Sequence, residues 1–153
     1  KMKEEMEQKR EEFREKLEDM KDEKKQAIVE RIDKRLTTQN DAITKKLLSA
    51  TERISKALTA LEERNEAQEE TSKEITDAIT EARTALEKAQ TAIEEQQQKE
   101  YVIVLTDEKN VGEQVSEAVT GFREDIKAVA ELVREARSLA KDAVSLLTPA
   151  EEE

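Results

Sequence analysis

The sequence predicts an all-α protein: an elongated antiparallel three-helix bundle or coiled coil, with one short extended segment between its second and third helices. Three observations predict it. An apolar repeat spaced alternately by three and four residues recurs in three long stretches. Residues are 42% charged and only 2% aromatic, with two glycines and one proline, a composition that favours helix almost throughout. A single run, Tyr101 to Leu105, breaks the periodicity with consecutive bulky apolar side chains.

The first helix is expected from about residue 2 to about residue 64. Its N-terminal half carries a sparse stripe of Met2, Met6, Phe13, Leu17, Met20 and Ile28 among charge pairs at helical spacing, such as Glu5/Lys9 and Glu12/Lys16. Each pair supports the helix by about 0.2–0.5 kcal/mol. The C-terminal half carries Ile43, Leu47, Ala50, Ile54, Leu58 and Leu61. The weakest stretch is Thr37-Thr38-Gln39-Asn40. Either the helix continues through it with Asn40 as a polar core position, or it breaks and Thr38 caps a new helix. No glycine or proline marks a break, which favours continuation.

The acidic segment 65–71 loses the stripe and reads as a turn. Thr71 with Glu74 forms a capping-box pattern that opens helix two, expected at about 72–98. Its stripe is Ile75, Ile79, Ala82, Leu86, Ala89 and Ile93. An extended connector follows at about 100–109. Asn110 with Glu113 then reads as a second capping box. Helix three is expected at about 111–147, striped by Val115, Val119, Phe122, Ile126, Val129, Val133, Ala136, Ala140, Ala143 and Leu147. Pro149 is expected to stop it, leaving 150–153 as a frayed tail.

Lengths give a staggered arrangement. At about 1.5 Å per residue the first helix would measure roughly 95 Å and the second roughly 40 Å. Helix two would then cover only half of helix one, and residues 1–20 would form a protruding arm. Phe13, Leu17 and Met20 on one face of that arm call for burial against something, most simply a second copy. The strand-like residues Tyr101, Val102, Ile103, Val104 and Leu105 have two readings. They pair edge to edge with a partner strand, or they lie along the bundle as an apolar strap. These eight residues are the candidate partner-binding set.

No site for catalysis, a cofactor or a metal ion is expected. The chain has no histidine and no cysteine, which removes the commonest general base, the thiolate nucleophile and the usual transition-metal ligands. It holds no glycine-rich phosphate cradle and no nucleophile elbow. Carboxylate clusters at Glu62, Glu63, Glu66, Glu69 and Glu70, and at Glu94 and Glu95, read as solvated helix faces. No small-molecule substrate is expected.

Charge argues the same way. The formal charge is −11, and residues 65–153 carry 22 acidic against 10 basic side chains. That field repels nucleic acid and anionic lipid. The basic stretch from Lys21 to Lys46 is interleaved with Asp22, Glu23, Glu30 and Asp33. No run approaches the roughly 20 apolar residues of a transmembrane helix. The sequence opens on Lys1 without an apolar signal segment, and the expectation leaves open that a targeting signal preceded it.

The stretch Glu12-Phe13-Arg14-Glu15-Lys16-Leu17, then Lys21 through Ile32, then Ala89-Gln90-Thr91-Ala92-Ile93 leading into Lys99-Glu100-Tyr101-Val102-Ile103, resembles a family of uncharacterised exported helical proteins recurrent in small-genome bacteria of the candidate phyla. Its members carry a signal peptide and a low-complexity linker. The resemblance implies an extracytoplasmic location, at the cell surface or envelope, and supplies no activity. The functional expectation is a non-enzymatic structural or protein-interaction module working through long helical surfaces, with a protein partner or by self-association. The alternatives are a holdase-like periplasmic chaperone and a cytosolic coiled-coil scaffold.

Overall fold

The computed structural model describes residues 2–152, and the side chains of residues 2–147. The described chain is all-helical and holds no strand: α1 (Met2–Glu18), α2 (Glu23–Glu66), α3 (Lys73–Gln98), a 3₁₀ turn (Glu108–Asn110) and α4 (Val111–Glu152). None of these helices is long and apolar enough to cross a membrane.

Four helices therefore replace the three expected, because helix one breaks after Glu18. The break has a local cause and a tertiary one. Asp22 Oδ1 accepts from the backbone N–H of Lys24 at 3.0 Å and of Lys25 at 3.2 Å, which caps the start of α2. The backbone N–H of Met20 closes a turn onto the carbonyl of Leu17 at 3.2 Å, and the Met20 side chain is buried. At 37–40 the helix continues, and Asn40 is a buried polar position whose Nδ2 donates to the carbonyl of Lys99 at 3.4 Å.

Two expected caps shift by a few residues. Ser72, rather than Thr71, caps α3: its Oγ accepts from the N–H of Ile75 at 3.3 Å. Asp107, rather than Asn110, initiates the last helical stretch: its Oδ1 accepts from the N–H of Asn110 at 2.9 Å. The backbone of α4 stays helical through Glu152, beyond the expected end near Leu147. Pro149 falls in the last turn of that helix, where its missing donor removes a single intrahelical bond. Of the tail expected at 150–153, Glu153 lies outside the described residues.

The chain divides into two compact units. The first comprises the chain up to Ala42 with Gln98–Ile126. Here α1 folds back on the N-terminal part of α2. Arg10 pairs with Asp33, and Gln26 Nε2 donates to the carbonyl of Leu17 at 2.8 Å, so the two helices run antiparallel. The core is Phe13, Met20, Val29, Ile103, Leu105 and Val111, flanked by Leu17, Ile32, Val102, Val115 and Ala118. The expected protruding arm is thus part of a core within its own chain.

The second unit comprises Ile43–Gln97 and the chain from Lys127 onward. Ile54 and Leu58 of α2 pack with Ala82–Ile93 of α3 and with Val129–Ala140 of α4. Leu61 packs with Ile75, Ile79, Ala143 and Leu147. Rising residue numbers in α2 thus match rising numbers in α4 and falling numbers in α3. Within this unit α2 and α4 run parallel, and α3 runs antiparallel to both. Asn65 closes the α2–α3 corner: its Oδ1 accepts from the N–H of Ser72 at 3.1 Å, and its Nδ2 donates to the Ser72 carbonyl and to Thr76 Oγ1.

Candidate functional site

The eight residues singled out from sequence all fall in the first unit, and the structure brings them into one neighbourhood. Phe13 and Met20 are buried, and Leu17 is half-buried against them. Tyr101 to Leu105 join no sheet; they form the strap of the two readings. Ile103 and Leu105 point into the core, whereas Val104 between them is 61% exposed. That alternation is the period of two of an extended chain.

Both ends of the strap are fixed. Tyr101 meets Phe122 edge to face, ring centroids 5.2 Å apart, and its hydroxyl donates to Asp125 Oδ2 at 2.5 Å. Lys99 Nζ lies 3.4 Å from the same carboxylate oxygen. At the other end Gln114 and Thr106 bond side chain to side chain, and the N–H of Thr106 donates to Gln114 Oε1 at 3.3 Å. Glu108 Oε1 accepts from the backbone N–H of Lys21 at 2.5 Å. Seven of the eight residues are therefore engaged within the chain, and Val104 alone presents most of its surface.

Smaller cavities of about 100–200 Å³ lie against these residues in the first unit, and a wider groove lies in the second unit, between α2 and α4. This groove of about 480 Å³ is lined by Ala50, Ile54, Ala57, Ala140 and Val144 on its floor, with Arg53, Arg137, Lys141 and Ser145 around it. Its position follows from how α2 is buried. The core side of α2 takes Thr44 and Thr51, both fully buried, so the sequence stripe of Ile43, Leu47 and Ala50 is only half-buried. Thr51 is accommodated because its Oγ1 donates to the carbonyl of Leu48 at 2.6 Å. Ala50 is thereby turned toward the groove.

The electrostatics of this groove run against the chain as a whole. Among the described residues no carboxylate lines it, although the chain carries 38 acidic residues against 27 basic ones. Lys46 stands seven residues before Arg53, and Arg134 three before Arg137, so helical spacing continues both cationic rims. Glu52, Glu62 and Glu63 on α2, and Glu131, Glu135 and Asp142 on α4, stand at offsets that place them on other helix faces. Among the described residues, no ion pair involves Arg53, Arg137 or Lys141. The α2–α3 seam of the same unit is built oppositely: Arg83 Nε donates to Glu62 Oε1 at 2.5 Å, and its Nη2 to Thr59 Oγ1 at 3.1 Å.

Among the described residues the groove offers three cations, an apolar floor and one hydroxyl. Ser145 Oγ already donates to the carbonyl of Asp142 at 2.7 Å. Among the described residues no group of three or more carboxylates is placed to hold a metal ion. The groove escaped the sequence reading because its cations are spread over two helices far apart in the chain. The signal was present in each: basic residues keep to one face of 46–53 and of 134–141, and acids to another. No protein-family model matches the chain, and neither does any curated protein or solved structure.

Proposed function

We propose that this chain is a non-enzymatic protein-interaction module that receives its partner in the α2–α4 groove. The observation that carries this reading is the union, in one concave surface, of an apolar floor and a rim on which the described charged residues are all cations. Elsewhere the apolar stripes of the four helices are used in cores: the large exposed apolar residues among those described are Met2, Ile28, Val104 and Leu146, which share no stripe. The described residues bring no general base and no free nucleophile to the floor of the groove, which favours binding over catalysis. The partner is a different protein rather than a second copy, since Phe13 and Met20, the residues that argued for self-association, are buried in their own chain. Envelope location rests on the family resemblance alone, and fractionation of the producing cell tests it.

A photo-reactive residue at exposed Ala57, compared with one at exposed Thr106, tests the reading in the cells that make the protein. The expected result is a protein adduct from position 57 that disappears when Arg53 and Arg137 are both changed to Glu. Adducts from position 106 alone, or adducts at 57 indifferent to the charge reversal, would overturn it.

A further inference from the structure

We infer that the occupant of the α2–α4 groove is an acidic amphipathic α-helix of a partner protein, lying along the seam as the fourth helix of the second unit. This rests on the proposed interaction role and specifies the chemistry of the partner.

The shape comes from the floor. The lining spans Ala50–Ala57 on α2 and Arg137–Ser145 on α4. These are seven and eight residue steps, about 10–12 Å of helix axis, or two turns. Three of the five floor residues are alanines, and small side chains let a helix axis come within about 8 Å of its neighbours. The seam between two parallel helices is the place where an added helix buries an i, i+3, i+4, i+7 apolar stripe.

The charge comes from the rims. Cations stand on both walls, Arg53 on α2 and Arg137 and Lys141 on α4. The bound helix must therefore carry carboxylates on both sides of its apolar stripe, the way flanking charges accompany a coiled-coil seam. An uncharged or basic helix would desolvate those cations without pairing them, which is unfavourable. A long polyanion gains the same cations but has no apolar stripe to bury the floor of Ala50, Ile54, Ala57, Ala140 and Val144. A second copy of this chain has acidic faces, but its apolar stripes are consumed in its own cores, so it has no stripe to lay on the floor.

Fluorescence anisotropy on the intact chain tests this, with dye-labelled designed peptides of about three helical heptads that carry a leucine stripe flanked by Glu or by Lys. The Glu-flanked peptide is expected to bind saturably and at least tenfold tighter than the Lys-flanked one. Arg53→Glu with Arg137→Glu should reverse that order. Ala57→Trp, which fills the floor at an exposed position, should weaken the Glu-flanked peptide tenfold or more while circular dichroism stays unchanged. Equal binding of the two peptides, or an affinity that ignores both the charge reversal and the Trp, would overturn the inference. If the Glu-flanked peptide fails while position 57 still gives charge-dependent adducts, the occupant is wrong and the interaction role stands. If both fail, the groove has no such role.

Discussion

Arg10 Nη1 donates to Asp33 Oδ1 at 2.7 Å, joining α1 to the N-terminal part of α2 across 23 residues of sequence. Both side chains are mostly buried, at 20% and 16% exposure, and the Arg10 guanidinium also lies 5.6 Å from the Phe13 ring centroid. The pair thus sits beside the first core and orients α1 on it. A double-mutant cycle of Arg10→Ala and Asp33→Ala should return a coupling of about 1–2 kcal/mol, above the level of an exposed pair. The i,i+4 pair Lys34–Glu30, exposed at both ends, should give about 0.3–0.5 kcal/mol in the same assay.

The strap should show its alternation in energy. Ile103→Ala removes a fully buried side chain and should cost about 2–5 kcal/mol, read as a lower urea midpoint. Val104→Ala, one residue on, should stay within about 0.5 kcal/mol of the parent. Equal costs would mean that the strap does not lie as described.

Asn65 makes three hydrogen bonds at the α2–α3 corner and is 2% exposed. Asn65→Ala should leave the half-buried Ser72 N–H without its side-chain acceptor, while the Ser72 carbonyl keeps Thr76, and cost about 1–3 kcal/mol. Hydrogen exchange should accelerate first at Ser72–Thr76, the start of α3.

Much of this fold was legible in the stripes. Ile75 to Ile93 and Phe122 to Leu147 mark the buried faces of α3 and α4 almost residue for residue. Such stripes are local and periodic, and helix formation needs little else. The all-helical class follows from them, whereas the number of helices does not. The turn at 19–22 contains neither glycine nor proline, and its cap, Asp22, is one acidic residue in a segment full of them. What selects the break is the gain from burying Phe13 and Met20 against Ile103 and Leu105, about 90 residues away in sequence, a contact that no local pattern encodes.

The floor of the groove was illegible for a related reason. Thr44 and Thr51 take core positions on α2 that the apolar count assigned to Ile43 and Ala50. A threonine can occupy a helix core by returning its hydroxyl to a backbone carbonyl, as Thr51 does with Leu48. The seam is thereby rotated, and the face it vacates becomes the floor.

A holdase needs broad exposed apolar surface, and the large exposed apolar residues described here are scattered. At equimolar ratio the chain should therefore give no protection to an aggregating unfolded client, followed by turbidity. Full protection would place a client surface where none is described.

The apolar seam of α1 is satisfied within a single chain. Light scattering on the intact protein, beside a version that starts at Lys21, tests it most directly. The intact chain should weigh 17.5 kDa in solution, and the shortened one should associate or lose helicity as Val29, Ile103 and Leu105 are uncovered. An intact chain that dimerises, and a shortened one that is a well-folded monomer, would contradict the account.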